Sequence, residues 1–303
     1  MVVRDMPLTT VVSDPERGPG GDPKYRGNWG GNFVGRLLDY FEPRRVLDPM
    51  AGSGTTLDVC ELRGIEADGY DLNPNPRRGI GGWDATTDDF DRSGDAIFFH
   101  PPYWDAIKYS GAMWGDEPDP RDLSQIKAWG DFVHQMNALV LKFWGALRVG
   151  GHMVVLVGDI ARKGRLYSMQ HEIAWPGTAI REIVKLQHNA LSYQTPYGGR
   201  FIPIVHEYAL VFRKDEPYLC RVVYTVSTVV DLRTREQVSW LDAVQAAVEA
   251  LGGEVEVQQV YAEIERSFQQ RIGQNQFWRE KVRQCLQNTK RFQRTARGRY
   301  ALA

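Results

Sequence analysis

The sequence predicts an α/β fold: a doubly wound, mostly parallel sheet followed by a small C-terminal winged-helix domain. Three observations predict it. Short apolar runs alternate with segments of helical period between residues 32 and 214, and that alternation builds a parallel sheet. A glycine-rich turn, VLDPMAGSGTT at 46–56, separates the first such strand from its helix. Beyond Pro217 the pattern changes to three short helices and a basic hairpin.

The elements follow in order. Residues 1–24 are rich in Pro, Gly and Asp without an apolar period and read as a loose, flexible arm. Phe33, Leu37, Leu38 and Phe41 have helical spacing, and the helix stops at Pro43. RVLDPM is a strand, TTLDVCELRG a helix closing on Gly64, IEADGYDL a second strand, and DAIFFHPPYW a further strand ending in prolines. Residues 123–148 read as one long amphipathic helix with Phe132, Met136, Leu139, Val140, Phe143 and Leu147 on one face. GGHMVVLVGDI and HEYALVFRK are late strands. Residues 218–231 are β-prone and suit either a closing strand or a bridge, within a connecting segment at 218–239. Helices follow at 240–251, about 258–268 and about 276–287, and KRFQRTARGRYAL turns around Arg297-Gly298 as a hairpin.

Composition sets the bounds. The 303 residues are 43% apolar and 25% charged, enough for a full core without disulfides or metals. No run of about 18 apolar residues suggests a membrane span, and no apolar segment near the N-terminus suggests a secretory leader. Cys60, Cys220 and Cys285 form no CxxC pair, so neither a disulfide framework nor a metal site is expected. The expected location is the cytoplasm. Net charge is −1, yet residues 266–303 hold ten Lys or Arg against Glu280 alone, +9 in 38 residues, and the rest carries −10. A basic end on an acidic body points to a polyanionic partner.

Three motifs carry chemistry. In the turn after the first strand, Gly52 and Gly54 allow close backbone approach to a ligand at a helix N-terminus. A nucleoside-triphosphate loop would place GK[ST] there, and a dinucleotide fingerprint would have Gly where Leu57 stands. Tight packing alone is the alternative reading of such a turn. Asp71 ends the next strand, where an acid grips ribose hydroxyls, and Asp84 opens the segment after it. Last is HPPYW, residues 100–104. Its prolines hold the Pro101 carbonyl rigidly outward, and Tyr103 offers a π face to a flat ring. A rigid acceptor beside an aromatic platform suits a planar amine; an ordinary strand-ending turn is the alternative.

Together these residues resemble the S-adenosylmethionine-dependent amino-methyltransferases, which carry a Gly-rich motif after the first strand and a [D/N/S]PP[Y/F/W] motif after the fourth. VLDPMAGSGTT resembles the DPFxGSGTT form of DNA methyltransferases acting on adenine N6 or cytosine N4. YRGNW at 25–29 is similar to the segment covering the methionine end of the cofactor, and the resemblance spans about residues 24–215. It implies the Rossmann-like fold of class I methyltransferases, a methyltransferase domain at 25–217, and S-adenosyl-L-methionine as cofactor. By resemblance the loop residues Pro49, Ala51, Gly52, Ser53, Gly54, Thr55 and Thr56 hold the cofactor. Asp71 takes its ribose, Asp84 its adenine, and Tyr25, Asn28 and Asp48 its methionine end. The target base is flipped from the duplex and stacks on Tyr103, while His100, Pro101 and Pro102 form the catalytic turn.

His100 departs from that pattern, since the family has Asp, Ser or Asn there. A neutral imidazole accepts through one ring nitrogen, and a protonated one only donates. His100 therefore acts as the neutral acceptor, or turns away and leaves Pro101 alone, or marks a weak enzyme; the first is the expectation. The end of the chain, WREKVRQCLQ, Phe292 and RGRYAL, resembles small winged helix-turn-helix modules at 240–303. It implies DNA contacts by Arg279, Lys281, Arg283, Arg294, Arg297 and Arg299, with Trp104 beside the site. Residues 105–128 and 161–205, with the loop YQTPYGGRF, are further candidates for base recognition. The expected function is sequence-specific DNA amino-methylation on double-stranded DNA. RNA or protein amino-methylation, and a catalytically weak DNA-binding regulator retaining the fold, are the alternatives. Target base, recognition sequence, oligomeric state and a partner restriction endonuclease stay open.

Overall fold

The computed structural model describes residues 7–188, 202–225 and 239–303. The chain divides into two compact units, Met1–Val226 and Ser227–Ala303.

In the first unit the strands are β1 (Val11–Val12), β2 (Arg45–Asp48), β3 (Glu66–Asp71), β4 (Ile80–Gly81), β5 (Gly94–Phe99) and β6 (Leu147–Val157). They continue with β7 (Ile160–Arg162), β8 (Arg165–Tyr167), β9 (Trp175–Pro176), β10 (Thr178–Leu186), β11 (His206–Arg213) and β12 (Val222–Val223). Eight form one sheet, in the order β1-β10-β11-β6-β5-β2-β3-β4. Strands β4, β3, β2, β5 and β6 are mutually parallel, and β11 runs antiparallel to both neighbours. From β2 the chain steps outward to β3 and β4, then returns to β5 on the other side. That reversal is the switch point of a doubly wound sheet, where ligands bind beyond the carboxyl ends of the strands.

Helix α1 (Gly31–Phe41) and helix α2 (Thr55–Leu62) cover one face and α3 (Trp129–Ala146) the other. The strands between them are apolar on both sides. Along β5, Ala96 and Phe98 join the layer of Phe33, Leu37 and Val59, while Ile97 and Phe99 join that of Phe132, Met136 and Phe143. This is the period-two alternation of a strand.

Three expectations need correction. Helix α3 begins at Trp129, not 123. Leu123–Gln125 is a 3₁₀ turn whose first N–H bonds are capped by the Asp122 carboxylate, and Ile126 is extended, which breaks the helix. The arm is not loose over residues 7–24. Val11–Val12 pairs with β10, Arg36 bonds Asp14, and Gly21 N–H donates to Asp58 Oδ2 at 2.8 Å. Its glycines let it lie closely on the first turn of α2. Residues 161–188 are not an open loop either: β7 and β8 form a hairpin, α4 is Met169–Glu172, and β10 is a strand of the main sheet. A single partly polar strand gave no clear alternation. The loop YQTPYGGRF and most of the 218–239 connection lie outside the described residues.

The second unit contains α5 (Trp240–Ala250), β13 (Val255–Glu256), α6 (Val257–Ser267), α7 (Gln269–Gly273), α8 (Trp278–Leu286), β14 (Phe292–Ala296) and β15 (Arg299–Leu302). The three strands form an antiparallel sheet in the order β13-β15-β14. Val244, Val248, Val260, Ile264, Val282, Leu286 and Phe292 fill its core. Among the described residues no helix is long and apolar enough to cross a membrane.

Candidate active site

The loop leaving β2 turns through Asp48, Pro49 and Met50 before α2. Asp48 is 1% exposed. Its Oδ1 accepts from Met50 N–H at 3.1 Å, and its Oδ2 is buried without a hydrogen-bond partner among the described residues. Burial pushes its carboxyl up to about 7, against the pull of the nearby Thr56 hydroxyl and the Met50 N–H bond. Gly52 adopts φ +49°, and a Cβ there would stand 3.2 Å from the Tyr25 ring. The glycine is required by both conformation and close approach. Its N–H donates to Asp71 Oδ2 at 2.7 Å, and Asn73 N–H donates to Asp71 Oδ1 at 2.9 Å. Burial raises the Asp71 carboxyl above its ordinary range, against these two bonds. Asp84 is 5% exposed and accepts from Thr86 through both backbone and hydroxyl.

These residues border a first cleft of about 680 Å³, counted to its mouth. Tyr25, Pro49, Gly52, Asp71, Asp84, His100 and Pro102 line it together. The chain also brings Trp83, Tyr109, Arg121 and Asp122 there, which the sequence reading had not singled out. Ala51, Ser53, Gly54, Thr55 and Thr56 lie behind the wall. The Ser53 and Thr55 hydroxyls bond one another at 3.1 Å, and Gly54 caps α2 at φ +76°. Asn28 is also not on this cleft. Its side chain bonds the arm, donating to Asp22 O and accepting from Arg17.

A second cleft of about 1030 Å³ lies on the other side of the β5 turn. Pro101, Tyr103, Ile107, Gly158, Asp159, His206 and Glu207 line it, and His100, Gly27 and Tyr109 line both clefts. The Tyr103 ring lies against Gly158, where any Cβ would collide with it. Tyr103 Oη donates to Glu207 Oε1 at 2.7 Å and meets His100 Nε2 at 2.7 Å. His100 is 9% exposed, and burial holds its imidazole down to about 4, opposed by Glu207. Glu207 was missed by the sequence reading, although an acid inside the apolar run of HEYALVF was a signal, since buried carboxylates persist only when paired.

Trp104 requires correction. It is 6% exposed, its indole N–H donates to Ile126 O at 2.9 Å, and its ring packs on Trp129 and Tyr167. It belongs to the core and lines neither cleft. Apolar area and a carbonyl partner explain its place better than a nucleic acid does.

The first cleft fits a cationic, flat-ringed ligand. Three carboxylates, Asp71, Asp84 and Asp122, face one guanidinium, Arg121, and Trp83, Tyr25 and Tyr109 supply aromatic surface. The glycine cradle at Gly52 leaves room that a side chain would fill. A sulfonium bearing an adenosine has that charge and shape. Among the described residues no three His, Cys, Asp or Glu converge as metal ligands.

In the second unit Arg279, Lys281 and Arg283 are exposed on α8, and Arg294, Arg297 and Arg299 are exposed on the hairpin. Several are engaged within the unit. Arg299 pairs with Glu256 at 2.9 Å, Arg283 donates to Tyr261 Oη at 2.5 Å, and Arg279 stacks over Trp278. Residues 240–303 hold ten Lys or Arg against seven Asp or Glu, a net +3. The +9 of the last 38 residues is thus partly offset by acids folded beside it.

By sequence the chain matches no protein family and no curated protein. Its fold is similar to several solved structures. An amino pentose methyltransferase from Micromonospora echinaspora shares 17% identity over 52% of this chain and 65% of that one, at TM-score 0.29. TehB from Haemophilus influenzae shares 13% over 61% and 62%, at TM-score 0.37. TrmN from Thermus thermophilus shares 18% over 62% and 50%, at TM-score 0.34. The matched part spans under two thirds of each of these three proteins.

Proposed function

We propose that the chain is a DNA amino-methyltransferase of the class I type, using S-adenosyl-L-methionine to methylate adenine N6 or cytosine N4. The observation that carries this reading is the pair of clefts sharing the His100 wall at the end of β5. One has the acids and glycine cradle for a cationic cofactor, and the other has the proline turn and Tyr103 for a planar amine. The cofactor supplies an electrophilic methyl group on sulfur. Gly52, Asp71 and Asp84 bind it in the first cleft, with Tyr25 over the glycine. Pro101 offers its carbonyl and His100 a ring nitrogen to the amine N–H groups, orienting the nitrogen lone pair toward the shared wall. The Tyr103 ring holds the base in plane. Catalysis on this reading is positioning and exclusion of water.

The second unit supplies the duplex contact as a winged helix, with α8 toward the major groove and phosphates contacted by the exposed cations of α8 and of the β14–β15 hairpin. Helix α8 exposes Arg279 and Arg283 four residues apart on one face and Lys281 on its other flank, which supports that docking. A cytoplasmic enzyme with duplex DNA as its partner follows from the same reading.

Nucleoside mass spectrometry on DNA from a methylase-deficient host expressing the chain tests it. N6-methyladenine or N4-methylcytosine that disappears in Tyr103→Ala is the expected result and names the base. Unmodified DNA beside methylated RNA or protein amide would replace the substrate class. Cofactor binding with no product anywhere would favour the regulator reading.

A further inference from the structure

We propose that Tyr103 and Glu207 lock His100 in the Nε2–H tautomer, so that its Nδ1 lone pair is the acceptor presented to the substrate amine. The proposal rests on the amino-methyltransferase reading for the identity of that substrate. The lock itself rests on the hydrogen-bond chain alone.

Lys185 and Glu207 are directly opposed across the β10–β11 ladder, and Lys185 Nζ stands 2.8 Å from Glu207 Oε2. The carboxylate is 5% exposed. Burial alone would raise it, but Lys185 and the Tyr103 bond hold it below its ordinary range. An ionised carboxylate only accepts. Tyr103 must therefore spend its single hydroxyl proton on Glu207 Oε1 at 2.7 Å. The Tyr103 hydroxyl oxygen is then left with lone pairs facing His100 Nε2 at 2.7 Å. That contact is a hydrogen bond only if Nε2 carries the proton. The opposite tautomer would put two acceptors against each other, or leave Glu207 facing an oxygen with no hydrogen to give.

The other ring nitrogen has no such partner. Nδ1 of His100 is buried and unbonded among the described residues. The imidazole side chain is 4% exposed and borders both clefts. Trp29 packs its ring edgewise on the imidazole at 5.8 Å and 74°, fixing its plane without supplying a bond that the structure records. A buried, unsatisfied acceptor on a residue that borders both clefts is what a substrate N–H would complete. A histidine can thus do the accepting that a carboxylate or amide does elsewhere, provided that its proton is kept on the far nitrogen. Tyr103, Glu207 and Lys185 are positioning residues in this scheme, and only His100 touches the amine through its ring. Support of an imidazole through its second nitrogen is a general way to set which nitrogen is free.

The test combines a spectrum with kinetics. Protein carrying ¹⁵N-histidine, without cofactor or DNA, is examined by long-range ¹H–¹⁵N correlation at pH 7.5, with His100→Gln to assign the ring. The expected pattern is a single Nε2–H tautomer in the wild type and a tautomer mixture in Tyr103→Phe. The phenylalanine variant keeps the ring for stacking, so a platform role alone predicts unchanged turnover. The lock predicts kcat down by about 10- to 100-fold, with cofactor affinity and KM for DNA nearly unchanged, the scale on which imidazole-supporting partners act. An Nδ1–H wild type, or Tyr103→Phe with unaltered tautomer and unaltered kcat, would overturn the proposal. A locked tautomer in a chain that methylates no amine would overturn the functional reading and the acceptor role, and leave the lock standing.

Discussion

Gly52 donates its backbone N–H to Asp71 Oδ2 at 2.7 Å, joining the glycine turn after β2 to the acid that ends β3. With Asn73 N–H on the other oxygen, the bond fixes the carboxylate against the turn. At φ +49° an alanine pays for a left-handed backbone, roughly 1 kcal/mol, and its Cβ would press the Tyr25 ring at 3.2 Å. Gly52→Ala is therefore expected to fold, to lose about that much stability, and to bind S-adenosylmethionine about tenfold more weakly. Titration calorimetry checks the affinity. Wild-type affinity in this variant would separate the loop from the cofactor.

Asp48 gives a pH signature independent of activity. Its carboxyl is pushed up to about 7 by burial, with Thr56 and Met50 pulling the other way, against about 3.9 in an unfolded chain. Between those values the fold holds a proton that the unfolded chain has released. Stability therefore falls as pH rises through that window, because the native state binds more protons. Asp48→Asn keeps the shape and removes the titration. Urea unfolding from pH 4.5 to 8 should show the variant gaining on the wild type as pH rises, by an amount on the order of a few kcal/mol at the top. Parallel profiles would mean that Asp48 is ionised in the fold.

Much of this architecture was legible in the residues, and what was not has physical causes. The Gly52 turn, Asp71 and the proline turn at 100–103 are local motifs, each set by conformations few residues tolerate. They were found because spacing along the chain equals spacing in the loop. The arm at 7–24 has no local signal because its contacts are distant in sequence: Gly21 meets Asp58 and Val11 pairs with Val184. Leu123 and Ile126 extend the apolar period of α3 beyond its true start, and only the Asp122 cap and the extended Ile126 break it. Tyr109 carried no sequence signal, yet it borders both clefts. The positive tail looked unopposed only because Asp242, Glu256 and Glu263 precede it in the chain; they pair with Arg291, Arg299 and Arg266.

Trp104 separates a structural aromatic from a base-contacting one. It sits at φ +47° in the turn after the prolines, bonded to Ile126 O and flanked by Trp129, Tyr167 and the Arg162 guanidinium at 4.8 Å. Trp104→Ala should cost about 3–5 kcal/mol through the cavity and the lost bond. The folded fraction should bind duplex DNA as the wild type does. Denaturant midpoints and anisotropy on one preparation decide it, and weakened DNA binding at unchanged stability would return Trp104 to the interface.

Helix α8 predicts a salt dependence that differs residue by residue. Arg283 is anchored by Tyr261 Oη at 2.5 Å, whereas Arg279 stacks over Trp278 and Tyr261 and stands 3.9 Å from Glu265, and Lys281 bonds Gln284. A cation that meets a phosphate releases about one counterion, so its loss lowers the slope of log K against log salt by about 1. Arg279→Ala and Lys281→Ala should each weaken duplex binding evenly across sequences and lower that slope by about 1, with stability nearly unchanged. Arg283→Ala should also loosen the α6–α8 packing through Tyr261, lowering the unfolding midpoint. Fluorescence anisotropy on an unrelated duplex between 50 and 200 mM salt, about the range over which phosphate contacts dominate affinity, measures both. Unchanged slopes for Arg279→Ala and Lys281→Ala together would take α8 off the phosphates and leave the hairpin arginines, Arg294 and Arg297, to be tested the same way.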